Sequence, residues 1–240
     1  MEDFVSYGNR RIDFTIKRKN RKTLGISVLP TGHVEVDAPM DSEVEKIKEV
    51  ILKKGKWIIS QQRDFSQFPL QQPDRKVING ETVRYLGRQY RLKIIKSEEN
   101  EVYLLDDKII IETLEETNRE LNRTLLLKWY RSQAKETFEG LFGKCLANSE
   151  KIGIDLQQSF NIRRMHKRWG SCSKDGGITL NLELVCSPVD CIEYVIFHEL
   201  CHRHEGTHNQ RFYDLLATVC PDYRDRKKKL EQCSEGLMGL

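Results

Sequence analysis

Between residues 11 and 37 apolar and polar side chains alternate: Ile12, Phe14 and Ile16, then Leu24, Ile26 and Val28, then Val34 and Val36. A period of two predicts strands with one buried face, and Pro30-Thr31-Gly32 reads as the turn joining the last two. From residue 41 the period lengthens. Ser42 and Glu45 have the spacing of a capping box, and Val44, Ile47, Ile51, Trp57 and Ile58 supply the inner stripe of one helix, with Trp57 in the core. Glutamine, serine and proline dominate from Phe65 to Asp74, the composition of a surface loop or linker. Short β segments are then expected at Val77–Ile78, Val83–Leu86, Tyr90–Ile95, Val102–Leu105 and Ile109–Ile111. Asn79-Gly80, Gly87-Arg88 and Asp106-Asp107 separate them.

The pattern changes again near residue 114. Glu115 to about Ser149 holds no proline and repeats at helical spacing, with Leu121, Leu125, Trp129 and Phe138 as buried candidates. Three strands follow, at 160–162, 169–173 and 178–182, with Asp175-Gly176-Gly177 as a tight turn. Ser187-Pro188-Val189-Asp190 then has the form of a helix start, with a serine cap, proline at the first helical position and an early acid. Ile192, Val195 and Ile196 continue that helix inward, Gly206 offers its stop, and Asn209 caps another carrying Phe212, Leu215 and Leu216. A last helix begins near Pro221. The expected class is α+β, with a β-rich N-terminal part with one helix over 1–113 and a second domain over 114–240.

The chemistry sits on the helix opened at Pro188. It reads His198-Glu199-Leu200-Cys201-His202, with His208 six residues further on. Four helical residues advance about 400°, so His198 and His202 stack about 40° apart and reach one ion at the ~2.0–2.1 Å of zinc–imidazole bonds. Glu199 lies about 100° round from His198, beside such an ion without having to bind it, which suits a general base for water activated there. His208 is preferred to Glu205 as the third ligand, because Gly206 ends the helix before Glu205 projects properly. The fourth position is left to water, the arrangement of a catalytic rather than a structural zinc site. Cys201, inside the motif, is assigned to packing, and His204 to the surface or to a supporting place behind the ligands. The donor that stabilises a developing oxyanion is not named by the sequence; His166, Arg168 and Tyr213 are candidates. A peptidase holds its substrate extended, and one strand of the block before the metal helix is expected to offer its edge for this.

Charged residues make up 32% and hydrophobic ones 38%, a globular rather than a disordered balance, and no apolar run approaches a membrane span. Seven cysteines without a C-x-x-C pair, and an N-terminus without a signal pattern, lead us to expect free thiols and a cytoplasmic location. A net charge of +4 does not announce a nucleic-acid binder. The local basic runs at 17–22 and 224–229 read as solvated faces, while leaving phosphate or acidic-partner contact open.

Several runs together resemble the YgjP-like metallopeptidase family, related to the SprT and WLM metalloproteases. They are Arg168-Trp169-Gly170-Ser171-Cys172-Ser173, Ile178 to Leu184, Cys191 to Val195, the His198–His202 motif with His208, and Pro221-Asp222-Tyr223. The resemblance covers residues 118–235 specifically and the earlier part more loosely. It implies a compact zincin-like, gluzincin-type fold: a backing helix, a small sheet, the HExxH helix and a following helix. It also implies zinc at His198, His202 and His208 with Glu199 as base. The leading expectation is thus a zinc metallopeptidase acting on a polypeptide. The alternatives are a non-catalytic zinc-supported module for nucleic acid or a protein partner, which only the basic runs favour, and hydrolysis of a small amide at the same centre.

Overall fold

In a computed structural model of the chain, residues 2–29, 32–66, 75–154, 159–165, 168–173 and 175–233 are described. They form six helices and three small mixed sheets, an α+β architecture. Two compact units divide between Gln72 and Pro73.

The first unit contains strands β1 (Glu2–Tyr7), β2 (Arg10–Arg18), β3 (Gly25–Val28) and β4 (Val34–Ala38), then helices α1 (Val44–Lys53) and α2 (Gly55–Ser66). The sheet order is β1-β2-β4-β3, with β2 and β4 parallel and the outer pairs antiparallel. The alternation seen in the sequence becomes its buried face: Ile12, Phe14, Ile16, Val34 and Val36 pack with Ile47, Ile51 and Ile58. Three expectations for this unit are corrected. The single helix is two, interrupted at Lys54, and Gly55 is needed there because a Cβ would run into the Tyr7 ring. The break resets the helical phase, so Trp57 is 43% exposed rather than core. No capping box forms; the cap is Glu43, which makes no side-chain cap bond. Pro30, Thr31 and most of the expected 65–74 linker lie outside the described residues.

The second unit opens with β5 (Thr82–Tyr85), β6 (Arg88–Lys96), β7 (Glu101–Leu105) and β8 (Lys108–Thr113), ordered β5-β6-β8-β7 with β6 and β8 parallel. This repeats the strand order and pairing of the first unit's sheet. The expected strand at Val77–Ile78 is irregular instead, with Val77 at φ 50°. Helix α3 (Arg119–Ser149) follows, capped by Asn118, whose side chain accepts from Leu121 N at 3.1 Å. Leu126, Trp129, Tyr130 and Phe138 bury its inner face in a core that also contains Val83, Leu92, Ile109 and Ile111. Each fully buried side chain of this size contributes about 1.5–3 kcal/mol. The boundary expected from the sequence is 113/114; β5 to β8 bury their inner face on α3 and belong to the compact unit that opens at Pro73.

The third sheet holds β9 (Phe160–Arg163), β10 (Gly170–Cys172) and β11 (Ile178–Asn181) in the order β10-β11-β9, antiparallel then parallel. The tight turn at 175–177 forms as expected, with Gly176 at φ +88° and Ser173 N donating to Gly177 O at 2.9 Å. A 3-10 turn (Leu182–Cys186) leads into α4 (Val189–Cys201), followed by α5 (Gln210–Val219) and α6 (Tyr223–Cys233). The start of α4 is shifted by one residue from expectation: Pro188 is the cap, and buried Ser187 makes no capping bond. Its entry is held instead by the β5–β6 turn, where Leu86 N and Gly87 N donate to Val185 O and Cys186 O at 2.9 and 3.1 Å. Gly87 (φ +80°) sits so close to Pro188 that a Cβ would fall 2.8 Å from its ring.

Candidate metal centre

Helix α4 is buried on nearly every side, through Cys191, Ile192, Tyr194, Val195, Ile196, Phe197, Leu200 and Cys201. Its outer end is gripped by α6. Arg226 donates to Glu193 at 2.8 Å and to Asp222 at 2.9 Å, and Lys229 bonds Asp190 at 2.8 Å. At the opposite, C-terminal end of α4, His198 and His202 lie one turn apart, His202 itself being the C-cap. The helix ends well before Gly206, earlier than the sequence suggested, and a turn returns the chain to Asn209, whose side chain accepts from Phe212 N and caps α5. Phe212 is the floor of the cluster, its ring centroid 4.9, 4.6 and 4.8 Å from those of His198, His202 and His208.

One nitrogen from each of His198, His202 and His208 lies within 4.8 Å of the others. The Nε2 atoms of His198 and His208 are 2.9 Å apart. Two such lone pairs cannot face each other without a proton or a cation between them, and a tetrahedral ion at ~2.0–2.1 Å would set its ligands about 3.3 Å apart. His202 Nδ1 is 3.0 Å from Glu205 O. As donor to that carbonyl, Nδ1 carries the proton and leaves Nε2 with its lone pair. Burial, then the neighbouring imidazoles, lowers the His198 pKa to about 3, and burial lowers that of His208. Three converging imidazoles, two of them disfavoured as cations by burial and the third oriented by a backbone carbonyl, fit a divalent metal. Glu205 is outside this cluster: its backbone oxygen serves His202 and its carboxylate accepts from Thr207 at 3.3 Å.

Glu199 is 5% exposed and lines the same cavity, of about 840 Å³, without being one of the converging groups. Burial raises its pKa to about 7, opposed by the charge of Arg168. The carboxylate rests against β10 at Gly170, where a Cβ would fall 2.6 Å from Oε1 and 2.7 Å from Cγ. Residues 168–173 line this cavity one after another. Successive strand residues point to opposite faces, so the cavity meets β10 at its edge, and among the described residues β10 pairs only with β11.

The oxyanion candidates separate. Arg168 lines the cavity; Tyr213 is outside the cavity lining, its ring 6.4 Å from that of His208 and stacked on Tyr223; His166 lies outside the described residues. Sequence reasoning missed Tyr194, which lines the cavity at 7% exposure with its ring 5.9 Å from that of His198. Its position four residues before His198 was the available signal. Cys201 is fully buried packing and His204 is exposed, as expected. Several members of the basic runs are paired: Lys17 with Glu35, Lys19 and Arg21 with Asp37, Lys227 with Glu231, beside the contacts of Arg226 and Lys229 already described.

The family model for the YgjP-like metallopeptidase domain matches residues 22–233, nearly the whole chain. The chain belongs to the YgjP-like metallopeptidase family. It is therefore a metallopeptidase, with a polypeptide substrate and a metal ion. No curated protein and no solved structure matches it. Among the described residues, no helix is long and apolar enough to cross a membrane.

Proposed function

We propose that this YgjP-like metallopeptidase is a zinc peptidase of the HExxH type, with His198, His202 and His208 as ligands and Glu199 as general base. The observation that carries this reading is the convergence of three imidazole nitrogens within 4.8 Å beside a buried carboxylate that is not among them. Zinc bound there supplies Lewis acidity, acidifying water and polarising a carbonyl. His202 is oriented by the Glu205 carbonyl, and Glu199 by the wall of β10. Glu199 takes a proton from the attacking water and returns it to the leaving amine. The substrate main chain pairs with the edge of β10 and so lies extended across the cavity. Arg168, on the cavity wall, stabilises negative charge developing on the carbonyl oxygen. We assign the protein to the cytoplasm; its seven cysteines are all free, five of them buried, which suits a reducing compartment. The test is Glu199→Gln beside His208→Ala, read by elemental analysis and by hydrolysis of an unfolded protein. Glu199→Gln is expected to keep one zinc and lose about 10²–10⁴-fold in turnover, whereas His208→Ala loses the metal. Undiminished turnover in Glu199→Gln rejects the mechanism, and full zinc in His208→Ala rejects the ligand set.

A further inference from the structure

The sheet that carries β10 has a second open edge, and the hydrolytic site does not use it. Among the described residues, strand β9 pairs only with β11, and Phe160–Arg163 make no backbone hydrogen bond outside that ladder. A groove of about 830 Å³ runs alongside, lined without a break by residues 159–164 on one side and by α3 on the other. Because alternate strand residues face opposite ways, a groove that touches each in turn meets the strand from its edge. Unpaired N–H and C=O groups there are a template for another strand.

The lining sets what that strand is. Arg131 and Lys135, one turn apart on α3, are exposed, as is Arg163 on β9; Arg164 completes the set and is held by Glu183 at 3.2 Å. Among the described residues of the lining, Glu139 is the one carboxylate. Beneath the cations, Phe160 and Ile162 are half-buried and anchored on the core. We propose that β9 is a docking edge for an acidic, extended peptide segment, which adds as a further strand with its carboxylates against Arg131, Lys135 and Arg163. Charge separates this occupant from a second copy of the chain, which would bring the same arginines edge to edge. Ring geometry separates it from a nucleic acid. Phe142 is buried and Phe160 is closed against it, centroids 4.9 Å apart, so neither offers an open face for a base. The inference is independent of the metal and of Glu199.

The test is a fluorescein-labelled peptide of alternating glutamate and valine, titrated by anisotropy against the full chain in excess chelator, so that no cleavage contributes. Saturable binding is expected. It should weaken about tenfold in the Arg131→Glu/Lys135→Glu double variant and be lost when alternate amides of the peptide are N-methylated. Arg163→Glu, on the strand rather than the helix, is expected to weaken binding too and serves if the double variant does not fold. Failure of the peptide to bind, equal binding of the N-methylated peptide, or unchanged affinity in folded charge variants overturns the proposal. So does tighter, competing binding of oligodeoxythymidylate.

Discussion

The sheet of β9, β10 and β11 shows the same backbone offered at two edges to two different neighbours. Along β10 the neighbour is α4, a helix so buried that its one carboxylate near the cavity, Glu199, is desolvated and pressed against Gly170. Along β9 it is α3, long enough to bury one face in the core and still turn Arg131, Lys135 and Glu139 to the groove. A strand edge supplies main-chain pairing in either place. What differs is the helix: a buried one tunes a group that moves a proton, and a half-exposed one presents fixed charge. Generic affinity comes from the sheet, and chemistry comes from how far the adjoining helix is removed from water.

The sharpest way to break that contrast is Gly170→Ala. The new Cβ would overlap the Glu199 side chain at 2.6–2.9 Å, and that side chain, rather than the strand, is the part able to move. A displacement of about 1 Å in a reacting group costs on the order of 10²-fold. Turnover of a peptide substrate is therefore expected to fall about that much while zinc content stays unchanged. Full activity in Gly170→Ala would mean that the contact does not position the carboxylate.

A smaller effect is expected one layer behind. Arg226 bonds Glu193 and Asp222 and also donates to the Asp190 carbonyl at 3.3 Å, tying α6 to the first turns of α4. These groups are partly exposed, so Arg226→Ala should cost about 1–2 kcal/mol in urea unfolding. No comparable ion pair ties α3 to β9 among the described residues, where ring packing of Phe138 and Phe142 on Phe160 does the joining. A cost under about 0.5 kcal/mol would show that packing alone holds α4 as well.

The β10 side was largely legible in the sequence and the β9 side was not, for physical reasons. His198 and His202 announce themselves because a spacing of four has only one geometric meaning on a helix. Asn209 is a local cap, and local caps are readable. The end of α4 was misplaced because it depends on tertiary structure: the helix stops at His202, and the return of Glu205 O to its ring stabilises the turn, while Gly206 lies beyond. Trp57 was assigned to the core because a helical stripe carries no sign of a break at Lys54, and the Tyr7 ring that requires Gly55 is far away in sequence. The run at 17–22 reads as a solvated face, but its acid partners are not legible, because they arrive through the parallel pairing of β2 with β4, a register that alternation alone does not reveal. The groove at β9 needed the same kind of knowledge, since Arg131 and Arg163 are neighbours only once α3 lies along the strand.

On the helix that flanks β9, a glycine gives the opposite outcome to Gly170. Gly140 is exposed on α3, and a Cβ there meets nothing within 4 Å. Alanine at this position is expected to stabilise the protein by about 0.5–1 kcal/mol, through the conformational entropy glycine loses in a helix. Hydrolysis should be unchanged. The same substitution would thus disable one helix–edge pair and firm up the other. A loss of stability in Gly140→Ala would mean that α3 is not free to accept a side chain on that face.

The smallest effect concerns acid. The hydrogen bond from Arg226 lowers the Asp222 carboxyl below its ordinary value of 3.8. A carboxylate held lower in the folded chain than in the unfolded one contributes stability that is complete above the ordinary value and is lost as pH falls through the folded one. Asp222 is mostly exposed and solvent screens the pair, so the contribution is under about 1 kcal/mol. Urea midpoints measured between about pH 5 and pH 2 should fall less steeply in Arg226→Ala than in the parent chain, because the variant has already given up that share. Parallel curves would show that the acid sensitivity of this chain lies in other carboxylates and that the hold of α6 on α4 does not depend on Asp222.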